Sequence, residues 1–407
     1  MIEGFMRINR PEYLDRIRPF LNKPVIKVLT GMRRVGKSTI VKLLIDELEA
    51  SGTPVENIIY INKESLEWEF ISGYRELHSY VTERCASALP GPRYVCIDEV
   101  QEIEGWERAV NSFLSEDLAD IVITGSNAHL LASEISTVLS GRYIEFPVYP
   151  LTFREFLSFR NDVSGNVREN FALFHRYGGL PGIHGFELTD DLVFPYLNSI
   201  YNTLVLKDVV SRNSIKDPGL LDRIIRFVFD NCGNITTAKR ISDYLKNQKL
   251  SVSVDTVMKY LGYLESAFLV RKARRYDIKG LRVLDLYEKW YAGDIGLRHG
   301  FIGYRDADVS GIIENCVYLE LLQRGYDVQI GKFNDLEIDF VAEGQQERLY
   351  VQVAWSLGDA RTIEREFGVL EKIRDNFPKI VLTMDEFQKI DRNGICSIYL
   401  PDFLLGT

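Results

Sequence analysis

Residues 25–30 read VIKVLT, a short β-branched run, and lead straight into Gly31-Met32-Arg33-Arg34-Val35-Gly36-Lys37-Ser38, with Thr39 next. A G-x-x-x-x-G-K-S loop between a strand and a helix constrains the fold more than any other feature of the chain. The following TIVKLLIDELEAS places Ile40, Leu43, Leu44 and Leu48 at helical spacing, so the expected order is strand, loop, helix. Glycines at 31 and 36 let the backbone curl until its N–H groups face phosphate oxygens, and the helix N-terminus adds positive potential. The loop from Gly31 to Thr39 is therefore the expected nucleotide-binding segment. Lys37 is placed to reach β- and γ-phosphates, and the Ser38 hydroxyl to complete a Mg2+ shell.

Residues 94–99 (YVCIDE) form an apolar run that ends in two acids. Asp98 is expected to hold Mg2+ through water, and Glu99 to polarise the water that attacks the γ-phosphate. Further runs at 58–62 (IIYIN) and 120–124 (DIVIT) alternate with helical patterns, which indicates a doubly wound parallel sheet binding its ligand at the carboxyl ends of the strands. The 120–124 run closes on Gly125-Ser126-Asn127, so Asn127 is a candidate sensor of the γ-phosphate or of the attacking water; its alternative role is to cap the next helix. Arg142, in LSGRYIEFPV, precedes another strand at what is expected to be the same edge. There a guanidinium would stabilise transition-state charge in its own subunit or a neighbour's, against an alternative of a plain structural arginine. The expected cofactors are ATP and Mg2+.

The segments GMRRVGKST, CIDEVQ, ITGSN, LSGR and YPLTFREFL, in this order and spacing, resemble widespread prokaryotic ATP-binding proteins that join an AAA-type core to a winged helix and a C-terminal nuclease-like domain. The resemblance covers nearly the whole chain. It implies an AAA-like P-loop ATPase core with Lys37, Ser38, Asp98, Glu99 and Asn127 at the matching motif positions. The expected fold class is α/β, arranged as an ATPase core over residues 1–150, a helical lid over 151–222, a winged helix-turn-helix over 223–300 and a C-terminal α/β nuclease-like domain over 301–407.

Helical patterns fill the lid segment, broken at Gly178-Gly179-Leu180-Pro181-Gly182. Three helices and a short strand hairpin then give the winged-helix pattern. Composition enters here. The chain carries 49 Lys and Arg against 58 Asp and Glu, a net charge of −9, which argues against a uniformly basic nucleic-acid coat protein. Yet residues 236–282 hold eleven basic and four acidic side chains, an excess of seven positive charges. Double-stranded DNA is the partner this stretch suggests, through salt-dependent phosphate contacts; the alternative is a lid or subunit contact, with oligomeric state open.

In the last hundred residues a helix carrying Glu314 precedes strands with Asp339 in mid-strand, then a crossover helix, the order of a restriction-endonuclease-like fold. Such enzymes hold Mg2+ with an early Glu, an Asp and an E-x-K, whose lysine assists the attacking water. Here Glu314 and Asp339 match the acids, but the E-x-K position reads Gln352-Val353-Ala354. A degenerate domain used for binding is therefore expected, with Lys332 or Lys379 left as spatial substitutes for the missing lysine.

Five scattered cysteines without a C-x-x-C pair favour a reducing compartment, and neither a signal peptide nor an apolar run of about 18 residues is present. A cytoplasmic protein with no membrane partner is expected. His78, His129, His175, His184 and His299 show no ligand spacing. The function these readings favour is an ATP-hydrolysing switch or motor acting on or with DNA. Its rivals are a DNA-binding regulator that holds ATP without splitting it, an ATP-gated DNA nuclease, and an ATPase directed at protein.

Overall fold

The computed structural model describes residues 10–128, 141–160, 166–305, 308–345 and 347–406. They divide between Val148 and Tyr149 into two units, with Ser266–Phe268 joining the first. His129 and the Leu139-Ser140 part of the LSGR motif lie outside the described residues.

Unit 1 contains α1 (Pro11–Ile17), β1 (Ile26–Thr30), α2 (Lys37–Ala50), β2 (Ile58–Asn62), α3 (Tyr74–Ala86), β3 (Tyr94–Asp98), α4 (Trp106–Ser115), β4 (Asp120–Gly125) and β5 (Tyr143–Pro147). The strands run parallel in the order β2-β3-β4-β1-β5. Every residue of β1 and β3 is buried, which is why these strands read as near-continuous apolar runs rather than alternating ones. On one face α3 and α4 bring Leu77, Val81, Trp106, Val110 and Phe113 against Ile59, Ile97 and Ile123. Lys27, the one charge in β1, is fully buried and satisfied by an ion pair to Asp120 and by the carbonyls of Phe20 (3.3 Å) and Val25 (3.0 Å). That pair ties the amino ends of β1 and β4, which are neighbours in the sheet.

Unit 2 begins with α5 (Phe153–Phe159), α6 (Val167–Tyr177) and α7 (Asp190–Thr203), the last continuing through a π-helical stretch, Leu204–Ser211. Then come α8 (Pro218–Asp230), α9 (Ala238–Asn247), α10 (Val254–Ser266), β6 (Val270–Asp277), β7 (Arg282–Ala292) and α11 (Ile295–Ile302). The chain ends with α12 (Val309–Gln323), β8 (Asp327–Phe333), β9 (Leu336–Glu343), β10 (Arg348–Ala354), α13 (Ala360–Glu371), β11 (Lys379–Thr383), β12 (Asp391–Arg392), β13 (Ile395–Tyr399) and α14 (Leu400–Leu405). One mixed sheet, in the order β12-β13-β11-β10-β9-β8-β6-β7, runs through this unit.

Two of the expected boundaries fall inside elements of this arrangement. A division at 222/223 falls inside α8, because Pro218 occupies the first turn and the Asp217 carboxylate caps it by accepting the Leu220 N–H (3.0 Å). A division at 300/301 falls inside α11 and also cuts a sheet: β6 pairs in parallel with β8, Arg275 to Asp277 lying beside Ile330 to Lys332. The β6–β7 hairpin therefore forms one edge of the eight-stranded sheet.

His175 on α6 and His299 on α11 lie with ring centroids 6.3 Å apart, both buried, and Tyr304 stands edge-on to each. The Arg298 guanidinium, bonded to the Phe229 carbonyl (2.8 Å) and to Asp308 (2.5 Å), lies 3.3 Å from His299 Nδ1. Burial, reinforced by Arg298, pushes the imidazoles from 6.5 down to about 4 for His175 and about 3 for His299. Both are neutral in the fold at neutral pH, whereas in the unfolded chain they take up protons near pH 6.5. Stability is thus unaffected by them above that value and declines as pH falls below it, by about 1.4 kcal/mol per pH unit for each imidazole. The double variant His175→Gln/His299→Gln is expected to lose less stability than the wild type when urea denaturation is moved from pH 7 to pH 5; an unchanged pH response would refute this assignment.

Candidate active site

The loop that follows β1 is shaped by close backbone approach. A Cβ on Gly31 would sit 2.2 Å from the Val148 carbonyl oxygen, so no other residue fits there, and Gly36 takes a φ of 100°, in the left-handed region. Arg10, buried beside the Tyr13 ring, donates from its guanidinium to the Val35 carbonyl (3.0 Å) and braces the loop from α1. Lys37 opens α2 and is itself buried. Its ammonium donates to the carbonyls of Gly31 (2.9 Å) and Met32 (3.2 Å) and lies 3.4 Å from Glu99 Oε1.

The two acids at the end of β3 share one clamp. Thr124, on neighbouring β4, donates its hydroxyl to Asp98 Oδ1 (2.5 Å) and accepts the Glu99 N–H (3.0 Å). The Tyr60 hydroxyl lies 3.4 Å from the other Asp98 oxygen. Glu99 adopts φ 54°, a left-handed conformation uncommon for a side chain of this size, which turns its carboxylate toward the loop. That carboxylate accepts from the Gln101 amide, which also lies 3.3 Å from the Ser126 hydroxyl. Burial alone raises the Glu99 pKa, but Lys37, Gln101, Arg33 and Ser126 outweigh it and hold the group below its ordinary value. An ionised carboxylate and an ammonium thus face each other at the mouth of the loop. Ser38, half-buried in the first turn of α2, and Asp98 supply oxygen donors of the kind Mg2+ takes.

Lys37, Ser38, Asp98 and Glu99 all lie at the carboxyl edge of the sheet, as does buried Asn127, directly after Ser126. Arg142 does not. Its carbonyl accepts the Ile26 N–H (2.9 Å), and the following Tyr143 pairs with Ile26, so this exposed arginine is at the amino edge. Parallel pairing makes the correction unavoidable, because a residue preceding β5 lies with the residues preceding β1. The length of β1 separates it from the loop, roughly 13 Å at about 3.3 Å per residue. Three residues that sequence reasoning missed, Thr124, Ser126 and Gln101, hold the acids in place. The available signal was a polar residue at the end of each apolar run.

In unit 2, Glu314 on α12 and Asp339 on β9 do come together, around a lysine that was not foreseen. Lys289 of β7 is almost fully buried, with its ammonium 2.9 Å from Glu314, 2.9 Å from Glu337 and 3.7 Å from Asp339. The Tyr291 hydroxyl donates to the same Glu314 oxygen. Burial pushes Glu314 up to about 7, and the three acids raise Lys289 above its ordinary value against the effect of burial. Gln352 accepts the Asp339 N–H (2.7 Å) and donates to Glu366 (2.7 Å), while Asp339 accepts the Val353 N–H (2.8 Å). Of the two lysines expected as substitutes, Lys379 is bound to Asp375 (2.8 Å), and Lys332 makes no ion pair with these acids.

A family model described as an AAA domain matches residues 23–157, and one described as a domain of unknown function (DUF8612) matches 168–308. An uncharacterized protein of Haemophilus influenzae is 38% identical over 400 residues, covering 98% of both chains. An uncharacterized protein of Methanocaldococcus jannaschii is 28% identical over 391 residues, covering 90% of this chain and 84% of the other. Among solved structures, a Walker-type ATPase of Pyrococcus abyssi superposes with a TM-score of 0.50 at 16% identity, over 74% of this chain and 96% of its own. That last likeness is one of fold.

The clamp at Thr124 yields a test. Thr124→Val keeps the shape but leaves the buried Asp98 carboxylate and the Glu99 N–H each short of a partner, and is expected to cost about 1–3 kcal/mol in urea denaturation. Thr124→Ser, which keeps the hydroxyl, should lose about 1 kcal/mol or less. Equal losses in the two variants would show that the hydroxyl is not the clamp.

Proposed function

The chain belongs to one family with the Haemophilus influenzae protein and has a P-loop ATPase core of AAA type, and from the site on that core we propose that it binds and hydrolyses ATP as a molecular switch acting with DNA. One observation carries the reading: the Lys37 ammonium, the Asp98 and Glu99 carboxylates and the first turn of α2 converge at one edge of a parallel sheet. When phosphates lie on the loop, Lys37 exchanges the carbonyls of Gly31 and Met32 for phosphate oxygens, a stronger charge-assisted set. Ser38 and Asp98 would hold Mg2+, which would supply neutralisation of phosphate charge. Departure of Lys37 frees Glu99 from its 3.4 Å neighbour, and the carboxylate, ionised and steered by Gln101 and Ser126, accepts the proton of the attacking water. Asn127, next along the same edge, senses the γ-phosphate or that water.

The output is read at the basic surface. Lys239, Lys246, Lys249 and Lys259 are exposed on or beside α9 and α10. Arg271 and Lys272 are engaged inside the fold, the first over the Tyr149 ring and the second between Glu265 and Glu288. We assign α8 to α10 with the β6–β7 hairpin as a winged helix, residues 151–217 as a helical lid, and α12 through β11 as a nuclease-like fold serving as a binding domain. Within unit 1, the Ala128 N–H beside Asn127 donates to the carbonyl of Ser266, the last residue of α10 (2.9 Å). No helix among the described residues is long and apolar enough to cross a membrane.

ATP turnover in Lys37→Ala and Glu99→Gln tests the first part. The lysine variant is expected to lose nucleotide binding, and the glutamine variant to bind as the wild type does while turnover falls by about 100-fold or more. Equal turnover in all three proteins removes the hypothesis. For the second part, Lys246→Glu/Lys259→Glu should weaken binding to duplex DNA and reduce the slope of log affinity against log salt by about 2. A wild type without DNA affinity at low salt would transfer the switch to a protein partner.

A further inference from the structure

A nuclease-like fold over residues 301–407 implies a divalent ion between Glu314 and Asp339, and the residues present do not fit one. The Lys289 ammonium already stands 2.9 Å from Glu314 and Glu337 and 3.7 Å from Asp339. A divalent ion between those carboxylates would need oxygen contacts near 2.1 Å. It would then lie within a few ångströms of the fixed positive charge of Lys289, which is itself almost fully buried. The third ligand position is spent as well. Both polar atoms of the Gln352 amide are in use, the oxygen on the Asp339 N–H and the nitrogen on Glu366, whose other oxygen takes Arg365. The free Asp339 oxygen is the one that faces Lys289, since its partner accepts the Val353 N–H.

We propose that the Lys289 ammonium is the resident cation of this acidic centre, standing where a divalent ion would lie, so that the C-terminal unit is a metal-independent binding module. Lys289 comes from β7, a strand outside the nuclease-like segment, and reaches the acids only because β6 and β7 extend the same sheet. The ammonium neutralises only part of the charge around it. Three acids converge on one lysine, and the Tyr291 hydroxyl steadies Glu314 by donating a hydrogen bond to it. Magnesium is then required at the P-loop alone, and phosphodiester cleavage is not an activity of this chain. The inference is independent of ATP turnover, because no group of unit 1 enters it.

Mn2+ binding to the full chain without nucleotide, followed by electron paramagnetic resonance, tests it. Wild type and Asp339→Asn should bind Mn2+ alike. Lys289→Met should gain one site, tighter than any in the wild type by about tenfold or more, and adding Asp339→Asn should abolish it. Lys289→Arg, which keeps the charge, should match the wild type. A Mn2+ site in the wild type that disappears in Asp339→Asn would overturn the proposal, as would Mn2+-dependent DNA cleavage lost in that variant or a Lys289→Met protein that folds without gaining a site. If Lys289→Met folds only when Mn2+ is supplied, the proposal is supported; if it folds under neither condition, the comparison of wild type with Asp339→Asn decides.

Discussion

Parallel pairing gives a sheet two unequal edges, one where every strand begins and one where every strand ends, and most of the chemistry of unit 1 depends on that division. The register that sets Lys27 beside Val122 and Cys96 beside Val122 from the other side brings the ends of β1, β3 and β4 into line. The phosphate loop, the two acids and the Ser126-Asn127 pair then emerge together without being near one another in the sequence. Helices on both faces exclude water from the strands, so the few polar side chains at their ends act on each other at close range. Thr124 illustrates the economy of the arrangement: a single hydroxyl, fully buried, orients both acids.

Two of the buried lysines, Lys37 in unit 1 and Lys289 in unit 2, show how an ion pair serves different ends. Lys37 faces one carboxylate at 3.4 Å and otherwise rests on carbonyl oxygens, neutral partners that an anion readily displaces. Lys289 faces three carboxylates and has no weaker partner to give up. Removing a buried charge from such a set leaves uncompensated partners behind, so the second centre is held in one state while the first is poised to change.

Features contained in contiguous residues were legible in the sequence, and features made by distant pairing were not. The loop from Gly31 to Thr39 stood out because its strand, turn and helix adjoin in the chain, and the acids at 98 and 99 because they end one apolar run. Thr124 and Gln101 did not, since a threonine in DIVIT looks like any β-branched strand residue until β3 is known to lie beside β4. Arg142 was placed at the wrong edge because motif order carries no information about which end of a strand a flanking residue occupies. Lys289 was invisible for a related reason: it lies 25 residues before Glu314 and further still from Glu337 and Asp339, in a strand that read as part of a wing. The hairpin pattern marked β6 and β7 as strands but could not identify β8 as the neighbour of β6.

That shared pairing bears on how such a chain can be divided. If β6 and β7 formed a free hairpin, the winged helix and the C-terminal segment would be separable modules, open to exchange with other proteins. With β6 locked to β8, a break near residue 300 leaves β8 with an open edge, a template for pairing with other chains, and strips the acidic centre of its lysine. The segments on either side of residue 300 are thus coupled through the backbone hydrogen bonds of one sheet.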